Sequence, residues 1–160
     1  MTLPVLRTER LTLRPMEDDD LERLLEMVAA SEWWGDADAD DLRCDGMAFT
    51  IEVDGELAGW LGVSEESDPD YRHAGLDITL EPAYQDRGLG PEALIAVRNW
   101  LIEERGHHRL IIDPAAHNHR AISAYEKVGF RPVGIMRNYE RGRDGTWHDG
   151  LLMDLLAEDL

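Results

Sequence analysis

Cysteine and lysine are almost absent from this chain. Cys44 is the single cysteine, so no intrachain disulfide framework exists, and Lys127 is the single lysine, so arginine carries nearly all the positive charge. No stretch approaches the ~18 consecutive apolar residues of a membrane span. The N-terminus lacks the apolar core of a signal peptide. The histidines, among them His107, His108, His117, His119 and His148, have no zinc-ligand spacing with Cys44, so no metal is expected. Bases are also scarce: 16 against 34 acids, for a formal net charge of -18. A phosphate backbone requires a basic footprint, and anionic lipid surfaces attract basic segments. Neither nucleic acid nor membrane is therefore an expected partner, and the default location is cytoplasmic.

What is present is enough for one domain across residues 1–160, with 43% hydrophobic residues to build a core. The charge is uneven. Residues 1–80 hold 21 acids and 6 bases, whereas residues 81–160 hold 13 acids and 10 bases. A negative half can draw in a cationic substrate; a solubilising surface accounts equally well for most of these acids.

Hydrophobic periodicity sets out the elements. Leu11 and Leu13 alternate with polar neighbours, predicting a first strand closed by Pro15. Leu21, Leu24, Leu25 and Val28 recur at helical spacing behind acidic Glu17 to Asp20. Trp33-Trp34-Gly35 and the Asp-rich run that follows predict a loop or short helix. Residues 47–53 and 56–63 flank Asp54-Gly55, a hairpin signal. A central strand is predicted over 74–81, a helix over 89–104 with Pro91 in its first turn, and a short strand at Leu110 to Ile112. Asn118 suits the cap of a further helix closed by Gly129. Residues 136–147, rich in Gly and Arg, read as a hairpin loop before a last strand at Leu151 to Leu156. The pattern is α+β.

Two segments carry chemistry. Gln85-Asp86-Arg87-Gly88-Leu89-Gly90 lies between the central strand and a helix, where free N–H groups and the helix dipole can hold a pyrophosphate. It is neither a dinucleotide fingerprint nor a P-loop, since no third spaced glycine and no Gly-Lys-Ser/Thr follow. The second segment is Asn118-His119-Arg120-Ala121-Ile122-Ser123-Ala124-Tyr125-Glu126-Lys127-Val128-Gly129-Phe130.

Together these segments resemble the acetyl-CoA site of the GNAT N-acetyltransferases, whose pattern Arg/Gln-x-x-Gly-x-Gly is matched by Gln85, Gly88 and Gly90. The resemblance implies a GNAT fold, with a mixed, mostly antiparallel central sheet flanked by helices. It also implies acetyl-CoA as cofactor, held by residues 85–90, by Asn118, Ala121 and Ser123, and by the backbone of Ile78 and Leu80. Tyr125 stands where the family places its general acid, which protonates the departing thiolate. A buried core tyrosine is the competing reading of that position.

For the acceptor, Trp33-Trp34-Gly35, Gly75-Leu76-Asp77 and Asp113-Pro114 resemble segments of the aminoglycoside 6'-N-acetyltransferases. That implies an aminoglycoside whose 6'-amine is acetylated. Asp77 would hold or activate the amine, Asp113 would bind substrate, and Trp33 and Trp34 would wall the sugar. The alternatives are a surface acid at Asp77, a plain Asp-Pro turn at Asp113, and core or subunit contacts for the tryptophans. The generic Thr8 to Pro15 start leaves open a peptide N-terminus or a small metabolic amine. A non-enzymatic acyl-CoA binder is the third reading, and the presence of Tyr125 argues against it. Monomer and homodimer both remain open.

Overall fold

The computed structural model describes residues 2–160. Eight strands form one sheet: β1 (Leu6–Arg7), β2 (Thr12–Pro15), β3 (Ala48–Val53), β4 (Glu56–Glu66), β5 (His73–Leu80), β6 (Arg109–Ile112), β7 (Arg131–Arg141) and β8 (Trp147–Leu156). Their order is β1-β2-β3-β4-β5-β6-β8-β7. Every pairing is antiparallel except β5 with β6. The mixed, mostly antiparallel sheet and its flanking helices are as the sequence suggests. No helix among the described residues is long and apolar enough to cross a membrane.

The helices cover both faces of the sheet because strand residues alternate. Phe49, Ile51, Leu61 and Val63 point to one face, where they meet Ala93, Leu94, Val97 and Leu101 of α3 (Leu89–Glu103) and Val128 of α4 (His119–Val128). Ala48 and Trp60 point to the other, under Leu24, Met27 and Val28 of α1 (Leu21–Ala30) and Leu42 of α2 (Ala39–Arg43). The Trp60 indole N–H donates to the Leu42 carbonyl at 2.9 Å, which satisfies its polar atom in the core. Asn118 caps α4, its side chain accepting from the Ala121 N–H at 3.2 Å, and Gly129 ends the helix at φ 116°.

The expected loop over 136–147 is a strand hairpin instead. β7 runs to Arg141, β8 begins at Trp147, and only the turn at Gly142 to Thr146 is irregular. β7 is the sheet edge and is exposed along nearly its whole length, and past Met136 no apolar alternation marks it.

The pairing of β5 positions everything that follows. β5 pairs with β4 as far as Leu80↔Gly59, but with β6 only at Ala74↔Leu110 and Gly75↔Ile111. Beyond Gly75 the two strands part. The Glu81 N–H donates to the Ala58 carbonyl at 2.8 Å, continuing the β4 register. Backbone groups alternate sides in such a ladder, so those of Ile78 and Leu80 face the gap. Gly59 allows the close β4–β5 approach: a Cβ there would lie 2.4 Å from the Thr79 carbonyl oxygen. Gly59→Ala is accordingly expected to cost about 1–3 kcal/mol of stability, read as a lower urea midpoint.

Candidate active site

A cleft of ≈ 820 Å³ opens where β5 and β6 part. Its floor is the C-terminal half of β5. One end is built by the turn into α3 and the first turns of α4. The other is built by the α1–α2 loop, the residues after β6, and the β7–β8 hairpin.

At the first end, Gly88 at φ 75° is the N-cap residue of α3, and no side chain caps the helix. The N–H groups of Arg87, Gly88, Leu89 and Gly90 have no hydrogen-bond partner among the described residues. Gly88 and Gly90 both line the cleft, so no side chain stands between their backbone and the space. This cradle of free donors at a helix N-terminus fits a pyrophosphate. The Asn118 amide oxygen is used by the cap, leaving its amide nitrogen free to donate into the cleft that it lines. The open edge of β5 fits an extended amide-bearing arm such as pantetheine. The residues present thus fit coenzyme A.

Neighbouring side chains brace the turn. The Gln85 amide donates to the Leu80 carbonyl at 2.9 Å. Arg120 donates to Gln85 Oε1 at 2.6 Å and to Asp86 Oδ2 at 3.0 Å. Arg10 donates to the Arg87 carbonyl at 2.8 Å and pairs with Glu92, also at 2.8 Å.

At the second end, Trp34 donates from its indole to Thr79 Oγ1 at 2.6 Å and packs edge-on against Trp60 at 5.4 Å. Trp34 therefore clasps the α1–α2 loop to β5. Trp33 lies 5.0 Å from the His117 ring, which lies 5.7 Å from His148. Arg143 reaches from the hairpin tip to the Val28 carbonyl at 3.1 Å. Asp77, Asp113 and Glu140 all line this end, and none forms an ion pair among the described residues. Asp113 accepts a hydrogen bond from the Tyr139 hydroxyl.

The electrostatics follow from this crowding. Water reaches Asp77 through the cleft mouth, yet protein surrounds its carboxylate on most other sides. That desolvation, reinforced by repulsion from Asp113, raises its pKa to about 7, against a 2.9 Å hydrogen bond from the Ile78 N–H that favours the anion. Burial first, then the charges of Asp77 and Asp113, push the Tyr125 phenol well above its ordinary range and keep it protonated. Burial, then Asp113, also raises Glu140.

The residues singled out in the sequence come together almost without exception. Trp33, Trp34, Asp77, Ile78, Leu80, Gln85, Asp86, Gly88, Leu89, Gly90, Asp113, Asn118, Ala121, Ser123 and Tyr125 all line this one cleft. Arg87 does not: its guanidinium lies over the Tyr84 ring at 5.6 Å, leaving only its backbone at the turn. The Leu89 side chain is buried in the core, so it too offers only backbone. The Ile78 N–H faces the gap but is engaged by Asp77. Of the acids on the β7–β8 hairpin, Glu140 joins the lining, whereas Asp144 bonds Thr146 and His148 at the tip and Asp149 accepts from the Asn138 N–H. Sequence reasoning passed over Arg120, although a base in the first turn of the Asn118 helix marks it. It also passed over Tyr139, for which periodicity offers no signal.

Residues 10–131 match the family model described as the acetyltransferase (GNAT) domain. The chain is 30% identical to the aminoglycoside N(6')-acetyltransferase type 1 of Klebsiella pneumoniae, over 80% of this chain and 77% of that one. It is 38% identical to the [ribosomal protein bS18]-alanine N-acetyltransferase of Escherichia coli K12, over 49% of this chain and 52% of the relative. Among solved structures, Mycobacterium smegmatis RimJ in complex with CoA-disulfide superposes with a TM-score of 0.83 at 24% identity, covering 100% of this chain and 89% of that one. A chimeric spermidine N-acetyltransferase SpeG from Vibrio cholerae and hSSAT gives 0.81 at 20%, covering 94% and 98%. With the glycine cradle, the open strand edge and the family match in agreement, the chain belongs to the GNAT acetyltransferases, which move an acetyl group from acetyl-CoA to an amine.

Proposed function

We propose that the acceptor is a small amine bearing more than one positive charge. The observation that carries this reading is the set of three unpaired carboxylates, Asp77, Asp113 and Glu140, at the end of the cleft away from the glycine cradle. Ammonium groups favour converging carboxylates. A polyamine suits this end of the cleft, and the spermidine enzyme shares the fold. The aminoglycoside 6'-amine expected from the sequence belongs to the same chemical class; it is supported by the relative from Klebsiella and stands as the narrower case. A second reading is a peptide N-terminus, favoured by the 38% identity to the bS18-alanine enzyme across half the chain.

Acetyl-CoA supplies the acetyl group as a thioester. The chain's own residues handle protons and position. Asp77, whose pKa in the empty cleft is about 7, takes the proton that a bound ammonium must shed before its nitrogen can attack, directly or through water. Tyr125, kept protonated by its surroundings, holds its hydroxyl proton for the departing sulfur. The free donors at the head of α3 hold the phosphates, and the β5 edge aligns the arm between the two ends.

Thiol release from acetyl-CoA should be followed with spermidine, with aminoglycosides carrying either a 6'-amine or a 6'-hydroxyl, and with an alanine-initiated peptide. Turnover on the polycations ahead of the peptide is expected; turnover on the peptide alone would transfer the reading to N-terminal acetylation. Tyr125→Phe is expected to lower kcat by roughly 10²–10⁴-fold with little change in KM for acetyl-CoA. A general base works only when unprotonated, so kcat/KM should fall about tenfold per unit as pH drops below about 7. Asp77→Asn should lower the rate and abolish that acid limb; a limb that persisted in the variant would remove Asp77 from the role.

A further inference from the structure

Tyr139 stands where a regular strand would not put it. Between the pairs Met136↔Gly150 and Glu140↔His148 the β7–β8 register shifts, so residues 137–139 of β7 stand opposite Asp149 alone. Asn138 takes the left-handed conformation at φ 47°, and its N–H donates to Asp149 Oδ1 at 2.9 Å. Bulges of this kind re-aim side chains beside functional sites. Here the bulge lays the Tyr139 ring on Gly150, where a Cβ would be 2.9 Å from the ring. The same stretch of β8 fixes the segment after β6: the Ala116 N–H donates to the Asp149 carbonyl and the Leu151 N–H to the Pro114 carbonyl, each at 2.9 Å. Tyr139 and Asp113 thus share one rigid support.

The phenol donates to Asp113 Oδ2, and no other donor to that carboxylate exists among the described residues. Tyr139 itself is not part of the cleft lining, so its contact with the site runs through Asp113. A carboxylate facing two others is driven to rotate away from them. A tether is what keeps it turned toward the cleft. We propose that Tyr139 is a positioning residue for acceptor specificity: it holds Asp113 as a second anionic anchor beside Asp77, and the pair selects acceptors with at least two ammonium groups. The inference rests on the polycation reading above and adds the residue that enforces it. The hydrogen bond to Asp113, with burial, pushes the Tyr139 pKa up to about 12, so the phenol remains a donor at every working pH.

The test compares spermidine with n-butylamine on the full chain, for the wild type, Tyr139→Phe, Asp113→Asn and the double variant. Initial rates are paired with calorimetric titration of each amine. In the wild type, spermidine is expected to be preferred. Tyr139→Phe should raise KM and Kd for spermidine about tenfold, equivalent to one charge-assisted hydrogen bond, leaving its kcat within about twofold and n-butylamine unaffected. The double variant should be no worse than Asp113→Asn alone. Gly150→Ala, which keeps the phenol but displaces its ring, should reproduce the effect. Equal losses for both amines, or additive losses in the double variant, would overturn the role of Tyr139. Preference retained in Tyr139→Phe sinks this inference alone; a wild type that does not distinguish the two amines sinks the polycation reading and this inference with it.

Discussion

Two residue pairs hold β5 to β6 before the strands separate, and the rest of the molecule is arranged around what that separation leaves behind. A strand inside a sheet normally spends its backbone groups on both neighbours. Beyond Leu76 its only ladder partner is β4; on the open side Asp77 takes the Ile78 N–H and Gln85 the Leu80 carbonyl, leaving the Ile78 carbonyl and the Leu80 N–H open. Buried backbone donors and acceptors without partners are costly, so this edge requires water or a bound chain of matching polarity. β6 is carried away by its pairing with β8, which takes the far side of the sheet with it. The opening is therefore built into the topology and does not depend on a loop folding back.

The cleft has an electrical direction. At one end, the head of α3 offers free N–H groups, with Arg120 and Lys127 also in the lining. At the other end, Asp77, Asp113 and Glu140 form a wall in which carboxylates outnumber the one base, Arg141. An anionic donor and a cationic acceptor entering the same space are sorted to opposite ends before any specific contact is made. Two braces keep the ends apart: Arg10–Glu92 under the glycine turn, and the Trp34 indole on Thr79.

Much of this was legible in the residues, and for a physical reason. Gly88, Pro91, the Asn118 cap and Gly129 each answer a local backbone demand that is written locally. The alternation of β3 and β4 and the spacing of Leu94, Val97 and Leu101 record burial on one face. A strand opening at Phe130 is legible and is β7, but its run past Met136 is not, because an exposed edge strand has no buried face to alternate with. Tyr139 was hidden for a related reason: its direction is decided by a bulge, and a bulge is a mismatch between two strands rather than a property of either. The acceptor is the least legible feature. Trp34 is engaged in holding the loop to β5 as well as in lining the cleft, and a carboxylate wall specifies charge before it specifies a molecule.

That wall also bears on how the cleft empties. Acetylation replaces an ammonium, which carries a charge and several donors, with a neutral amide. Asp77 then faces a group to which it is no longer attracted, and with its cationic neighbour gone its affinity for a proton returns to the high value of the empty cleft. The attraction that gathers the acceptor is thus cancelled at the reacting nitrogen by the reaction itself. An acceptor of two charges departs with one fewer, and the site favours exchange of the spent molecule for a fresh one.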